Sequence, residues 1–516
     1  FTETREQAGQ PLPFAGRSDS KSRTNYGRGH FSAVFDPTPK HTAGFDIEYT
    51  ERSTHMPTLS RTTLGQTQSD SRYRQHMDGN TLTATANYIW KIDTLGSQFK
   101  LIADYTRYTS DGDNSYHTTT CAPGTLRDSL YESATGSVYD ILTADAGLTR
   151  KLPHGLTLRA GLRYTRNDMA DKSRYAAQTQ GTWLALPEYS YDQHYTEQIG
   201  AAYASLEYSA GRWELSAGLR GEYTSVASQA FGRSYFGLFP NVSVSRALNA
   251  LRTWLLVAQW SRNIERPAFP ALNPARIRIS DYSWQSGNPS LRPTYIHRFS
   301  LTAVWKYRYT LTVGGNLHHD LIREIAHRDA TAPDAVYIRP ENHYTENHWF
   351  VAASVPAKIT RWWNLSVNAV GVMQRIRLNS TDSPATHYLM FADATCSFTL
   401  PAGFFAEAVY RAQSRLYSGN SEVGPRHTLS ATVKKQLFGK RLTLFCTLSN
   451  ITGCDWEFAS LTDGMRRTID TGQAWSGRLW KVGAAWNFRT GKKFRARTVE
   501  SAAETQRKRL VKSTEQ

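Results

Sequence analysis

The sequence predicts an all-β protein, a large antiparallel transmembrane β-barrel with about 19 strands visible of a barrel of about 22. Three observations carry this. Apolar residues recur at every second position in segments of about ten residues, Tyr and Trp collect near the ends of those segments, and the connections alternate between short turns and long polar stretches.

Taken in order, the first recognisable strand lies near Gly27 to Phe35, running into a short turn at Pro37 to His41. Leu82, Ala84, Ala86, Tyr88 and Trp90 then alternate with Thr83, Thr85 and Asn87, and Phe99, Leu101, Ala103 and Tyr105 with Lys100, Asp104 and Thr106. Leu156 to Tyr164, Leu311 to Leu317 and Trp480 to Phe488 repeat the pattern. The apolar set (Leu82, Leu101, Leu158, Leu311, Val482, Trp486) is expected to face lipid, and the polar set (Thr83, Thr157, Thr310, Lys481, Asn487) the lumen. Alternation alone also fits a soluble sandwich. The aromatic ends decide for a membrane: Tyr88, Trp90, Tyr105, Trp305, Tyr307, Tyr309, Trp362 and Trp363 suit interfaces, where a ring is buried while its N–H or O–H stays wet.

The short turns, among them Asp93 to Gly96, Leu152 to Gly155, Ala210 to Arg212 and Lys306 to Arg308, belong on one side. Long polar segments, including Arg52 to Gly79, Tyr108 to Ser137, Arg166 to His194, Arg262 to Thr294, Asp320 to Tyr344 and Gly453 to Gly477, are expected as loops on the other. That asymmetry is the one outer-membrane barrels show, with short turns periplasmic. Barrels of this kind have even strand numbers, so about 19 strands leave about three to be sought before Phe1. The expected division is therefore a barrel over residues 1–488, truncated at its N-terminus with residues 1–25 in an outer loop, and a disordered, periplasmic basic tail over residues 489–516.

Composition agrees. By length alone, 516 residues would suggest about three soluble domains. Mean hydropathy is −0.52 and no apolar run approaches the ~18 residues of a spanning helix, which excludes a helical membrane protein but not a barrel, whose lumen and loops are polar. Aromatics at 12% argue against disorder. The formal charge is +17, and the tail concentrates it: nine Lys and Arg from Arg489 onward face three Glu. The remainder is scattered, without the aromatic-and-basic motif of a nucleic-acid sheet, so no nucleic-acid partner is expected, whereas anionic lipid could meet the tail. Four cysteines without CxxC spacing make neither a disulfide scaffold nor a zinc site.

Particular segments resemble the TonB-dependent receptors. Ser261-Arg262-Asn263-Ile264-Glu265-Arg266-Pro267, followed by Phe269, Leu272, Asn273 and Pro274, is similar to that family's S-R-x-I-x-R-P-x-F-x-x-L-N-P stretch. Gly287-Asn288-Pro289 with Leu291 and Pro293 resembles its G-N-P-x-L-x-P, Gly218-Leu219-Arg220 with Glu222 its G-L-R-x-E strand, Phe239-Pro240-Asn241 the opening of the next strand, and Ser449-Asn450-Ile451 a late strand end. The resemblance implies an outer-membrane receptor that imports a scarce nutrient such as a siderophore, haem, glycan or peptide. Outer-membrane lipid and the TonB energy-coupling complex would be its partners, the latter through a plug domain to which nothing in this sequence corresponds. The alternative is a plugless outer-membrane pore or a surface-interaction scaffold without transport coupling.

No nucleophile elbow, Walker loop or HExxH motif is present, so no enzyme, cofactor or metal is expected. His318, His319 and Asp320, with His343 and His348 across the same stretch, form the tightest titratable cluster, and solvated loop histidines are commoner than ligands. Trp183, Tyr189, Tyr191, Tyr282 and Trp284 are the candidate ligand contacts, because large stiff rings with polar tips dominate binding hot spots. Arg220 and Glu222 are expected to pair in the lumen, and Asn288-Pro289 and Arg292-Pro293 to organise their long loop through the extended backbone that proline imposes on its predecessor.

Overall fold

The computed structural model describes all residues except 230, 281, 330, 331, 333, 472–476, 489–498 and 511–516. Among the described residues one sheet contains 28 strands. Nineteen of them, from Arg23–Thr38 to Leu479–Trp486, form a wall in which each strand is antiparallel to the next. The fold is thus the all-β, antiparallel barrel architecture that the alternation predicts. Among the described residues no pairing joins the first wall strand to the last, and no helix is long and apolar enough to cross a membrane.

At one end the wall strands are joined by short turns, and there the pattern reads apolar-out and polar-in. Leu82, Leu101, Leu158, Leu311, Val482 and Trp486 are exposed, while Thr83 and Thr157 are buried and Thr310 is half-buried. Lys481 and Asn487 are also exposed: among the described residues the strand Leu479–Trp486, which Asn487 follows, has a partner on one side only. Rings bound this apolar band. Trp254 stacks on Trp305 at 5.6 Å and Trp362 on Phe398 at 6.0 Å at the short-turn end, and Tyr49, Tyr164 and Tyr223 are exposed higher up. Leu156 to Tyr164 is nine residues, within the ~9–11 that a tilted strand needs to cross the hydrocarbon.

The polar segments expected as long loops are largely strand. His41–Leu64 and Thr67–Lys91 pair without a break from His41↔Trp90 to Leu64↔Thr67, and Gln98–Ala122 and Thr125–Leu152 from Gln98↔Thr149 to Ala122↔Thr125. Period two had not ended there; its polarity had inverted. In the outer half of Leu156–Thr179, Arg166, Lys172 and Arg174 point outward while Met169 and Tyr175 are buried within. Tyr73 and Tyr116 likewise meet edge-on inside at 5.4 Å, with Arg72, Arg74 and His117 outside.

Both termini depart from expectation. Residues 1–25 form no loop: Thr2–Gln7 and Gln10–Ser20 make a hairpin, one side paired with His41–Leu64 and the other with Met465–Asp470. Buried charge fixes it. Glu3, 2% exposed, accepts from Arg5 at 2.9 Å and from Arg467 at 2.9 Å, and Arg5 also lies 3.7 Å over the Phe14 ring. Burial raises the Glu3 carboxyl, but the two guanidiniums more than offset this and hold it below the ordinary carboxylate range. The tail is a correction as well. Its residues 489–498 and 511–516 lie outside the described residues, but 499–510 are ordered within the lumen and Ala502, Ala503 and Arg509 are buried. Composition predicted disorder because a basic run normally finds no partner; here Glu197 on the inner wall supplies one to Arg509, and Lys508 pairs with Glu504 within the tail.

Candidate functional site

The site lies inside the barrel and at its outer mouth, and residues 266–293 build it. This segment follows the strand Trp254–Glu265 and turns inward rather than away. Phe269–Leu272 is one helical turn with a proline in its first turn, and Phe269, Leu272 and Leu291 are fully buried against Tyr139, Ile141, Met169, Tyr195 and Val226 of the wall. Apolar residues on the lumen face are otherwise unexpected in a barrel, and this inward segment is what they cover. The proline-bearing motifs hold its shape: Gly287 N–H donates to the Asn273 carbonyl at 2.9 Å, Asn288 N–H to that of Ala271 at 2.7 Å, and the Asn288 amide to that of Pro340 at 3.0 Å. A Cβ on Gly287 would sit 2.1 Å from the Asn273 oxygen, so only glycine permits this approach.

Below this segment lies an ion network. Arg220 donates to Glu222 at 2.5 Å, and Arg266 donates to Glu222 at 2.7 Å and to the Thr224 hydroxyl at 2.9 Å while standing 3.9 Å from Glu197. Arg220 and Glu222 thus share a cluster with the arginine of the R-P dipeptide, whose cation stands between two buried carboxylates.

The middle of the segment, with the wall around it, forms an aromatic and cationic vestibule. Tyr189 and Trp284 stack in parallel at 6.4 Å. Arg276 lies 5.2 Å over Tyr189, and Arg278 lies 5.2 Å over Trp284, 5.5 Å over Tyr131 and 5.9 Å over Tyr73, all within cation–π range. Tyr282 belongs to an adjacent cluster, 5.8 Å edge-on to Phe14. Tyr191 stands against Asn273 and Asp171 at the foot of the vestibule. Trp183 is apart, exposed on the strand Thr182–Ala185. Five candidate aromatics therefore resolve into one stacked pair and three separate positions. The sequence reading missed Arg276 and Arg278; their spacing of two, a few residues before Trp284, was the available signal. Beside the inward segment a cavity of about 440 Å³ is lined by residues including Ala271, Ile322, Arg323, Pro340 and Phe458.

The histidines gather around a different group. Glu346 is fully buried, bonded to Arg323 at 3.0 Å, His348 at 2.9 Å and Gln374 at 2.8 Å, with His343 3.4 Å away, and His318 meets His348 edge-on at 5.1 Å. His319 stands edge-on to Tyr344 at 5.6 Å, and Asp320 accepts from Arg292 at 2.6 Å. Among the described residues no group of three or more His, Cys, Asp or Glu is arranged to hold a metal ion.

Over residues 90–484 the sequence matches the profile of the outer membrane protein beta-barrel family. No curated protein matches it. Among solved structures it is similar to the ferric-catecholate import receptor Fiu of Escherichia coli K12, with 9% identity, 88% of this chain and 81% of that one covered, and a TM-score of 0.54. It is also similar to the ferric yersiniabactin uptake receptor FyuA of Yersinia pestis, with 9% identity, 95% and 80% covered, and a TM-score of 0.49. At such identity the likeness is one of fold.

Proposed function

Since this chain belongs to the outer membrane protein beta-barrel family and so to the bacterial outer membrane, we propose that it is a receptor that captures a scarce nutrient outside the cell for import, its ligand being an anionic, aromatic metal chelate of the siderophore kind. The observation that carries this is the vestibule. Arg276 and Arg278 offer positive charge, and the half-buried Tyr189, Trp284 and Tyr131 offer flat faces, which together suit a ligand that is negative and planar. Fiu, whose fold it shares, is a ferric-catecholate import receptor, which supports the same choice. Energy coupling by the TonB complex through a plug domain, which the motifs imply, requires that the lumen segments described above share that space or yield it.

Trp284 is a built-in reporter. A ferric tris-catecholate titrated into the folded protein is expected to quench tryptophan emission saturably, and Arg276→Ala with Arg278→Ala to weaken binding at least tenfold, about 1.4 kcal/mol. Absence of saturable quenching would overturn the reading. A second reading, a barrel that serves as a surface scaffold without transport, is favoured by the filling of the lumen by the chain's own segments. Uptake of radiolabelled ferric catecholate by cells producing the protein separates the two.

A further inference from the structure

We propose that the C-terminal segment, residues 499–510, is an internal plug that enters the barrel from its short-turn mouth and latches beneath the inward segment 266–293 through Arg509. This rests on the barrel geometry and not on the identity of any ligand.

The described part of the segment climbs the lumen. Val499 packs at 3.0 Å from where a Cβ on Gly44 would stand, three residues from the short turn that precedes His41, so glycine there leaves it room. Glu500 pairs with Lys100, and the Ala502 N–H donates to Asp104 at 2.7 Å, six residues into its strand. Glu504–Arg507 and Lys508–Leu510 then form two short helical turns. They end against Glu197, well above the short-turn end of Tyr191–Ala210.

Arg509 enters a socket made by three parts of the fold. It donates to Glu197 at 2.5 Å and to the Pro267 carbonyl at 3.0 Å, and its guanidinium lies 4.3 Å over the Phe269 ring. Within the segment Gln506 accepts from Arg509 at 2.8 Å, and Leu510 packs on the apolar cluster that contains Phe269 and Leu272. The socket therefore joins an acid of the wall, a backbone oxygen and an aromatic ring of the inward segment. A planar cation suits all three at once. Glu197 is fully buried, and without Arg509 its nearest cation is Arg266 at 3.9 Å, shared with Glu222. Latch and socket stabilise each other: the tail neutralises the wall and supports the segment above it. Removing the tail opens the lower lumen and takes away that support.

Two measurements on the 516-residue chain, refolded into phosphatidylcholine bilayers, test this. Single-channel conductance is expected to rise at least severalfold when a stop codon replaces Val499 and with Arg509→Glu, while Arg509→Lys, which keeps the charge but not the fork, rises less. Folding is checked by the heat-dependent shift in electrophoretic mobility. Equal conductance for full-length and truncated folded protein would overturn the proposal. Should the truncated chain not fold, the second measurement decides. With the four cysteines, all unbridged, changed to Ser, Ala503→Cys, wholly buried, should react slowly with a maleimide, and Arg509→Glu or Glu197→Gln should speed labelling at least tenfold. Rapid labelling without those changes, or no acceleration with them, would count equally against it.

Discussion

The inner and outer halves of a single wall strand carry the same period and opposite polarity. In Leu156–Thr179, Leu158, Leu162 and Tyr164 face outward and Thr157 and Thr165 face in; further along, Arg166, Lys172 and Arg174 face outward and Met169 and Tyr175 face in. Nothing in the backbone changes between them, since the pairing with Tyr191–Ala210 runs through without a shift from Leu156↔Tyr208 to Ser173↔Tyr191. What changes is the surroundings on both faces. Lipid outside and a polar lumen inside give way to water outside and a packed interior, the inward segment, inside. A β-strand records which medium meets each face, and here one strand records two.

The first and largest test of this comparison is Phe269→Ala. If the interior of the outer half is a packed core, the change should destabilise it by about 3–5 kcal/mol, the usual cost of truncating a buried ring. Hydrogen exchange should show this as lost protection over residues 266–293, with the lower wall unaffected; protection unchanged would mean that the segment only lies in the mouth. Next is Leu158→Arg, on the lipid face. It should cost roughly 2–4 kcal/mol in a denaturant titration in lipid, because a charge at mid-bilayer loses its water. Acidification should act on the outer half through the buried Glu3. The Glu3 carboxyl titrates below its unfolded value, so its contribution is complete above the unfolded carboxylate range and is lost as pH falls through the folded value. Release of the hairpin Thr2–Gln7 and Gln10–Ser20, read by proteolysis, should therefore appear only below the ordinary carboxylate range while the barrel persists; release that grows as pH rises would contradict the sign. The smallest effect sharpens the contrast. Lys172→Leu, on the same outward face as Leu158 but in the watery half, should change stability by no more than about 0.5 kcal/mol.

Much of this was legible in residues alone. The alternation of Leu82 to Trp90 with Thr83, Thr85 and Asn87 identified strands and their faces, and Trp305 and Trp362 mark the short-turn edge of the band as a girdle does. The inverted half was harder to read. A stretch such as Val138-Tyr139-Asp140-Ile141-Leu142 carries apolar residues on both faces, and without knowing that Phe269 would cover Tyr139 and Ile141 its inner residues had no assignment. The vestibule was half visible: Tyr189 and Trp284 drew notice as rings, while Arg276 and Arg278 looked like ordinary surface charge until the fold set them on those rings.

The sequence by itself determined what depends on residues near one another along the chain: period, turn positions, the band that meets lipid, and the proline and glycine punctuation of residues 266–293. Tertiary structure alone decided what joins distant residues: that a basic tail becomes an interior element because Glu197 and Phe269 receive Arg509, 312 and 240 positions away, and that the N-terminal hairpin is held by Glu3 between Arg5 and Arg467. Local pattern reports the medium that a side chain meets, whereas a buried charge is stable only where a partner is delivered to it, and in a barrel that delivery depends on how strands far apart in sequence enclose a common interior.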